Sequence, residues 1–284
     1  MLVIIGWVLV TAAIIGGFIM AGGHVVVLWQ PVEVIIIFGA ATGGFLIANS
    51  PKTIKATLGA FGQAMKGSKY NKALYMETLG LLYNIFTRAR KDGLMAIEAD
   101  IEEPHNSEIF KAAPTVLGDH HAVEFISDYL RLMVSSTLDV HQIDNLMDIE
   151  IETHHHEGEV PITAISRFAD GLPAFGIIAA VMGVVHTMES VTLPPEELGK
   201  LIAAALVGTF LGILLSYGFV GPIAGILQVK LDESTKYYQS VKVSLIAFMN
   251  GYPPQVSVEF GRKVLFSTER PDFKELEDHI KKRK

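Results

Sequence analysis

The sequence predicts an all-α membrane protein with four transmembrane helices in two hairpins and a large helical domain outside the bilayer. Three observations carry that expectation. Half of the 284 residues are hydrophobic and the mean hydropathy is +0.38, a bias that soluble globules rarely show. Asp, Glu, Lys and Arg are missing from residues 1–32, 34–51, 171–188 and 201–229, and a bilayer core about 30 Å thick needs only about 20 residues of helix. Between the second and third of these runs, apolar residues recur with a helical period.

The runs place spans at about 2–21, 32–50, 171–190 and 201–222. The first is a retained span rather than a secretory leader, because Met1-Leu2-Val3-Ile4-Ile5 has no basic stretch and the apolar run outlasts a leader's core. Gly22, Gly23 and Pro31 punctuate the first connection and Pro194-Pro195 the second, so each hairpin turns tightly. The chain then divides into a first transmembrane hairpin (1–50), a helical domain (51–170), a second hairpin (171–222) and a helical tail (223–284). Of the 23 cations, Lys52 and Lys55 follow the second span, Arg167 precedes the third, and Lys230 and Lys236 follow the fourth. The positive-inside rule therefore puts the helical domain, the tail and both termini in the cytoplasm.

Within residues 51–170, Leu74, Leu81, Leu82, Ile85 and Phe86 line one helical face, and Val123, Phe125, Ile126, Leu130 and Val134 another. Pro104 and Pro114 break the domain into pieces. In the spans, Gly39 and Gly43, Gly208 and Gly212, and Gly176, Ala180 and Gly183 stand at helical spacing. Small residues let membrane helices approach closely, whether within one bundle or between copies of a self-associating subunit. Pro173 and Pro222 mark kinks or hinges.

Polar groups at depth are few: Thr209, Ser216 and Tyr217 in the fourth span, with His186 and Thr187 near the outer end of the third. Glu33 and Glu189 stand near interfaces, and no carboxylate falls in the middle of a span. A proton relay needs a titratable group at depth, so if this chain moves protons the carboxylate comes from a partner.

Outside the bilayer, a basic cluster of Arg88, Arg90 and Lys91 is followed by an acidic one of Glu98, Asp100, Glu102 and Glu103. On an unbroken helix Lys91 and Glu98 share a face, but Gly93 is placed to interrupt it. Such segregation suits an oppositely patterned protein partner. His154, His155, His156 and Glu157 are adjacent and diverge by about 100° per residue on a helix, so no metal site is expected. A net charge of −7 leaves no nucleic-acid footprint, and the absence of cysteine excludes disulfides and thiolate chemistry. No nucleophile elbow, phosphate loop or zinc-protease motif occurs. The expectation is a protein that is not an enzyme and needs no cofactor.

The stretches Leu172-Pro173-Ala174-Phe175-Gly176, Val181-Met182-Gly183-Val184-Val185-His186, Val207-Gly208-Thr209-Phe210-Leu211-Gly212, Asn250-Gly251-Tyr252 and Val258-Glu259-Phe260-Gly261-Arg262-Lys263 closely resemble the MotA family of flagellar motor stator subunits, within the MotA/TolQ/ExbB proton channels. The resemblance runs from Gly22-Gly23 to Ser267-Thr268-Glu269-Arg270-Pro271. It implies an oligomeric ring, five copies around a MotB dimer whose membrane Asp carries the proton, in the inner membrane. By that resemblance Ala180, Thr209 and Tyr217 line the ion path, and Ala180 favours protons over sodium. Pro173 and Pro222 take part in a coupled conformational change, and Arg90 and Glu98, with Arg88 and Lys91 beside them, engage the rotor protein FliG. Two alternatives stay open: an ExbB- or TolQ-type channel, which has three spans and an outward N-terminus, and a membrane scaffold with no ion role.

Overall fold

Proline and small polar residues set where the helices begin. The computed structural model describes residues 2–135, 138–189, 192 and 194–282, and the expected end of the third span at position 190 lies outside them. The helices are α1 (Leu2–Met20), α2 (Pro31–Ala48), α3 (Pro51–Met65), α4 (Lys72–Asp92), α5 (Glu98–Glu102), α6 (Glu108–Lys111), α7 (Pro114–Leu117), α8 (His120–Ser135), α9 (Val140–Glu189), α10 (Pro195–Ile213), α11 (Gly221–Met249), α12 (Pro254–Val264) and α13 (Phe273–Lys282). Proline opens α2, α3, α7, α10 and α12, where its missing N–H costs nothing. Ser50 caps α3 by accepting from the Thr53 N–H at 3.2 Å, and Asn71 caps α4 by accepting from the Leu74 N–H at 3.0 Å. Among the described residues, four helical stretches are long and apolar enough to cross a membrane: Leu2–Met20, Val25–Ala48, Val140–Glu189 and Pro195–Met249.

The chain forms two compact units, Met1–Gly67 with Gly158–Val229, and Ser68–Glu157 with Lys230–Lys284. In the first, α2 buries one stripe, Glu33, Ile37 and Ala41, at the four-residue spacing of a helix face. Glycines bring α9 against α10 with almost nothing between their backbones. A methyl group on Gly176 would meet the Gly208 carbonyl oxygen at 2.8 Å and Gly212 Cα at 3.0 Å; one on Gly183 would meet Ala205 Cβ at 2.7 Å. Gly39 and Gly43, by contrast, have nothing within 4 Å of such a methyl among the described residues, so their face of α2 is open there.

Between α10 and α11 the helix does not stop but widens into a π segment, Leu214–Val220, in which the Gly221 N–H donates to the Ser216 carbonyl. The next residue is Pro222. Proline has no N–H and its ring collides with the carbonyl four residues back, and a wider turn relieves that collision. The Trp7 indole N–H donates to the Phe219 carbonyl at 3.2 Å, tying α1 to the widened turn. Proline also lies inside α9 at two places, Pro161 and Pro173.

The second unit is a helical domain around a core that includes Leu79, Leu82, Phe86, Ile126, Leu130 and Tyr237. Phe86 stacks on Phe248 with centroids 4.4 Å apart. The faces expected on α4 and α8 are the buried ones, with Val134 half-buried at the rim. The Gly261 motif of the sequence is architectural. Ser240 Oγ donates to the Gly261 carbonyl at 3.0 Å, and a side chain on Gly261 would strike the Ser240 carbonyl at 2.7 Å. Arg262 is buried, with each of its three guanidinium nitrogens donating: two forked onto Glu259 and one to the Pro271 carbonyl at 2.8 Å. Lys242, also buried, bridges Asp144 and Asp148 at 2.8 and 2.6 Å. His154 lies against the Tyr238 ring, while His155 pairs with Thr235 and His156 with Glu152, so the three imidazoles go to different partners.

Gly212→Ala drives a methyl into the Leu172 carbonyl at 2.7 Å and is expected to cost about 1–3 kcal/mol, read as a lower thermal midpoint in detergent. Gly225→Ala, with nothing within 4 Å, leaves that midpoint unchanged or raises it. Burial pushes the His154 imidazole below the usual imidazole range; His121 and Lys69 add to this and Glu157 opposes it. As pH falls below about 6.5 the unfolded chain therefore binds a proton that the folded chain resists, and stability drops. The midpoint measured between about pH 7 and 5.5 should fall less steeply in His154→Gln than in the parent chain.

Candidate ion path and charged surface

The glycine contact decides which membrane residues meet. A methyl on Gly208 would lie 3.0 Å from the Ala180 backbone nitrogen and 3.2 Å from Ala179 Cβ. Ala180 on α9 is thereby brought beside the Gly208-Thr209 turn of α10, and both Ala180 and Thr209 are half-buried. Tyr217 stands apart, in the π segment, 71% exposed, beside the buried Ser216. Pro173 lies one turn before Gly176, and Pro222 follows the π segment. His186 is exposed near the C-terminal end of α9, with Glu189 at 3.8 Å.

One member of this constellation escapes the sequence reading. Glu33 is only 9% exposed, and its Oε2 is the atom a methyl on Gly208 would meet first, at 2.8 Å. That oxygen has no hydrogen-bond donor among the described residues. A carboxyl group near the start of a span in sequence is thus inside the bundle in space. The signal lies in the register Glu33, Ile37, Ala41, which puts the acid on the buried stripe of α2.

In the other unit the charged cluster splits into paired and unpaired members. Gly93 takes φ 89°, the left-handed region that favours glycine, and ends α4 at Asp92. Lys91 and Glu98 therefore belong to different helices. Arg88 donates to Asp100 at 2.8 Å, and Asp100, 7% exposed, also accepts from Ser107 at 2.6 Å. The Ser107 hydroxyl in turn caps α6 through the Ile109 and Phe110 N–H groups. Arg131 ties Glu102 and Asp128 together at 2.6 Å each, and its hydrogen bond holds the Glu102 carboxyl below the usual carboxylate range. Arg90, Lys91 and Glu98 are exposed and have no ion-pair partner among the described residues. Each complements its own helix end, the cations in the last turn of α4 and Glu98 in the first turn of α5.

Arg88→Ala leaves the buried Asp100 with Ser107 alone and is expected to cost about 1–2 kcal/mol. Arg90→Ala removes an exposed, unpaired charge and stays within about 0.5 kcal/mol. Denaturant unfolding of the two variants separates the structural cation from the available one.

Comparison with known proteins matches this arrangement to one family. Residues 4–93 match the motility protein A N-terminal family model and residues 119–240 the MotA/TolQ/ExbB proton channel family model. The chain is 49% identical to motility protein A of Salmonella typhimurium and 50% identical to that of Escherichia coli, each over 99% of this chain and 95% of the relative. It is 33% identical to the chemotaxis protein LafT of Vibrio parahaemolyticus over 96% of both chains. In fold it is similar to the solved MotAB structure of C. jejuni, with a TM-score of 0.80, 21% identity and 95% and 98% of the two chains covered. The flagellar MotAB stator complex of Bacillus subtilis aligns with a TM-score of 0.78 at 23% identity, with the same coverage. The chain belongs to the motility protein A family of flagellar stator subunits, within the MotA/TolQ/ExbB proton channels.

Proposed function

We infer that the chain is the membrane subunit of a flagellar motor stator, which with a MotB partner conducts protons inward and couples that flow to torque. The observation that carries this reading is the likeness to two motility proteins A at 49–50% identity over 99% of the chain. Four membrane-length helical stretches favour it over a three-span ExbB- or TolQ-type subunit. The working assembly is a ring of five copies around a MotB dimer in the bacterial inner membrane, surrounded by lipid, with both termini cytoplasmic. MotB supplies the proton-binding Asp, and Ala180, Thr209 and Tyr217 line its path. FliG meets the surface around Arg90 and Glu98, with Lys91 beside them and Arg88 holding the turn.

The energetics suit the task. One charge crossing the membrane releases about 2.3 kcal/mol per 100 mV, enough to bias a two-state element more than tenfold. Protonation of the borrowed Asp alternately cancels and restores a buried charge. The response falls where the helix is weakest, at Pro173 and at the π segment before Pro222. Beside these points the glycine contact of α9 and α10 moves as one body. The unpaired Arg90 and Glu98 present both signs of charge to FliG without first breaking an internal ion pair.

Co-expression with MotB should restore swimming and proton uptake in a strain lacking its own stator. Changing the partner's membrane Asp to Asn abolishes both, and the chain alone conducts nothing. Arg90→Glu or Glu98→Lys lowers torque while uptake persists. Robust proton leak through this chain without MotB would sink the reading.

A further inference from the structure

Glu33 has no place in the mechanism above, yet it is the carboxyl group this chain itself brings into the bundle. Its depth follows from its neighbours. The charge-free run of α10 begins at Leu201, and Gly208 lies seven residues further, about 10 Å along the helix. The run of α9 ends at Met188, and Ala180 lies eight residues back, about 12 Å. Glu33 Oε2 and the Ala180 backbone nitrogen would lie 2.8 and 3.0 Å from a methyl on Gly208, one residue from Thr209. It is nine-tenths buried, and neither a hydrogen-bond donor nor a cation of this chain reaches that oxygen among the described residues. An acid held at such depth without a partner is costly to keep and marks an ion pathway.

We propose that Glu33 is a proton-holding site of the conduit, which takes protons from the outer face and delivers them to the acidic group beside Ala180 and Thr209. The proposal rests on the stator reading and adds a group of this chain to the path. A hydronium ion at the outer end gives its proton to the Glu33 carboxylate, forming the carboxylic acid and water. The O–H bond of Glu33 then breaks as one forms on the partner's Asp carboxylate, and Glu33 is left ionised for the next proton. Gly208 leaves room for the acid: a methyl there would come within 2.8 Å of Oε2, and a larger residue would push the carboxyl aside.

The test uses the chain co-purified with MotB in vesicles, with proton uptake under an imposed potential read by an internal pH dye. The parent complex conducts, and the variant with the partner's Asp changed to Asn does not; if that variant conducts, the stator reading fails whatever Glu33 does. Glu33→Gln keeps the shape but cannot exchange a proton, and uptake is expected to fall at least about tenfold with assembly unchanged, while Glu33→Asp keeps it within about threefold. The infrared difference between the parent and Glu33→Gln complexes should contain the carbonyl band of a protonated buried carboxyl, shifted in heavy water. Should Glu33→Gln fail to assemble, the same band is compared between parent and Glu33→Asp, where it must change frequency. Uptake by Glu33→Gln equal to that of the parent, or no such band in the comparison made, overturns the proposal.

Discussion

The direct backbone contact between α9 and α10 is the constraint on which the rest of the membrane unit depends. Lipid tails are as apolar as the side chains, so no hydrophobic force draws two spans together, and packing must do it. Close packing gains many small dispersion contacts, and a gap of about an ångström already forfeits up to about half of each. Gly176, Gly208 and Gly212 supply the closeness, since a single methyl on any of them would enter backbone on the facing helix. One consequence is chemical: Ala180, Thr209 and the Glu33 carboxyl are gathered within a turn of Gly208. The other is mechanical. Pro173 and the π segment before Pro222 lie at the same end of the contact, where Gly212 meets the Leu172 carbonyl, so both breaks in the helical hydrogen-bond ladder fall beside the place where the helices cannot separate.

Much of this was legible in the sequence because a bilayer imposes a crude rule. A span must be long and free of charge, and the four runs satisfy it without any knowledge of tertiary structure. Helix stops were legible for a similar local reason: Gly93 has the backbone freedom to end α4, and Pro114 starts α7 rather than interrupting one. The paired glycines were visible as pairs, but not which face they served. Gly208 and Gly212 meet α9, while nothing among the described residues comes within 4 Å of a methyl on Gly39 or Gly43. The sequence spacing of the two pairs is the same, and only the neighbour distinguishes them.

Glu33 and Arg88 show where reading along the chain fails. Distance from the end of a span measures depth only if neighbouring helices begin at the same level. Here α10 starts at Pro195, six residues before its charge-free run, and a residue in the first turn of α2 meets α10 well inside it, at Gly208. Arg88 sits in a run of similar charges and looks like its neighbours. Its partner, Asp100, lies twelve residues on, beyond a glycine break, and only the fold after that break brings them together.

The same break explains why the remaining charges stay available. A surface that must bind a charged partner works against itself if its ions first pair with one another, since each such pair has to open before the partner can be engaged. Gly93 avoids this by putting Arg90 and Lys91 at the negative end of one helix and Glu98 at the positive end of the next. Each charge is stabilised by a helix terminus, which is diffuse and survives binding, instead of by a counter-ion that would have to leave. The Arg88–Asp100 bridge performs the complementary task inside the turn, where one oxygen of the acid goes to the cation and the other to Ser107. The separation between a pair that fixes geometry around a buried acid and exposed charges held only by helix ends gives the surface a defined shape and an unspent field.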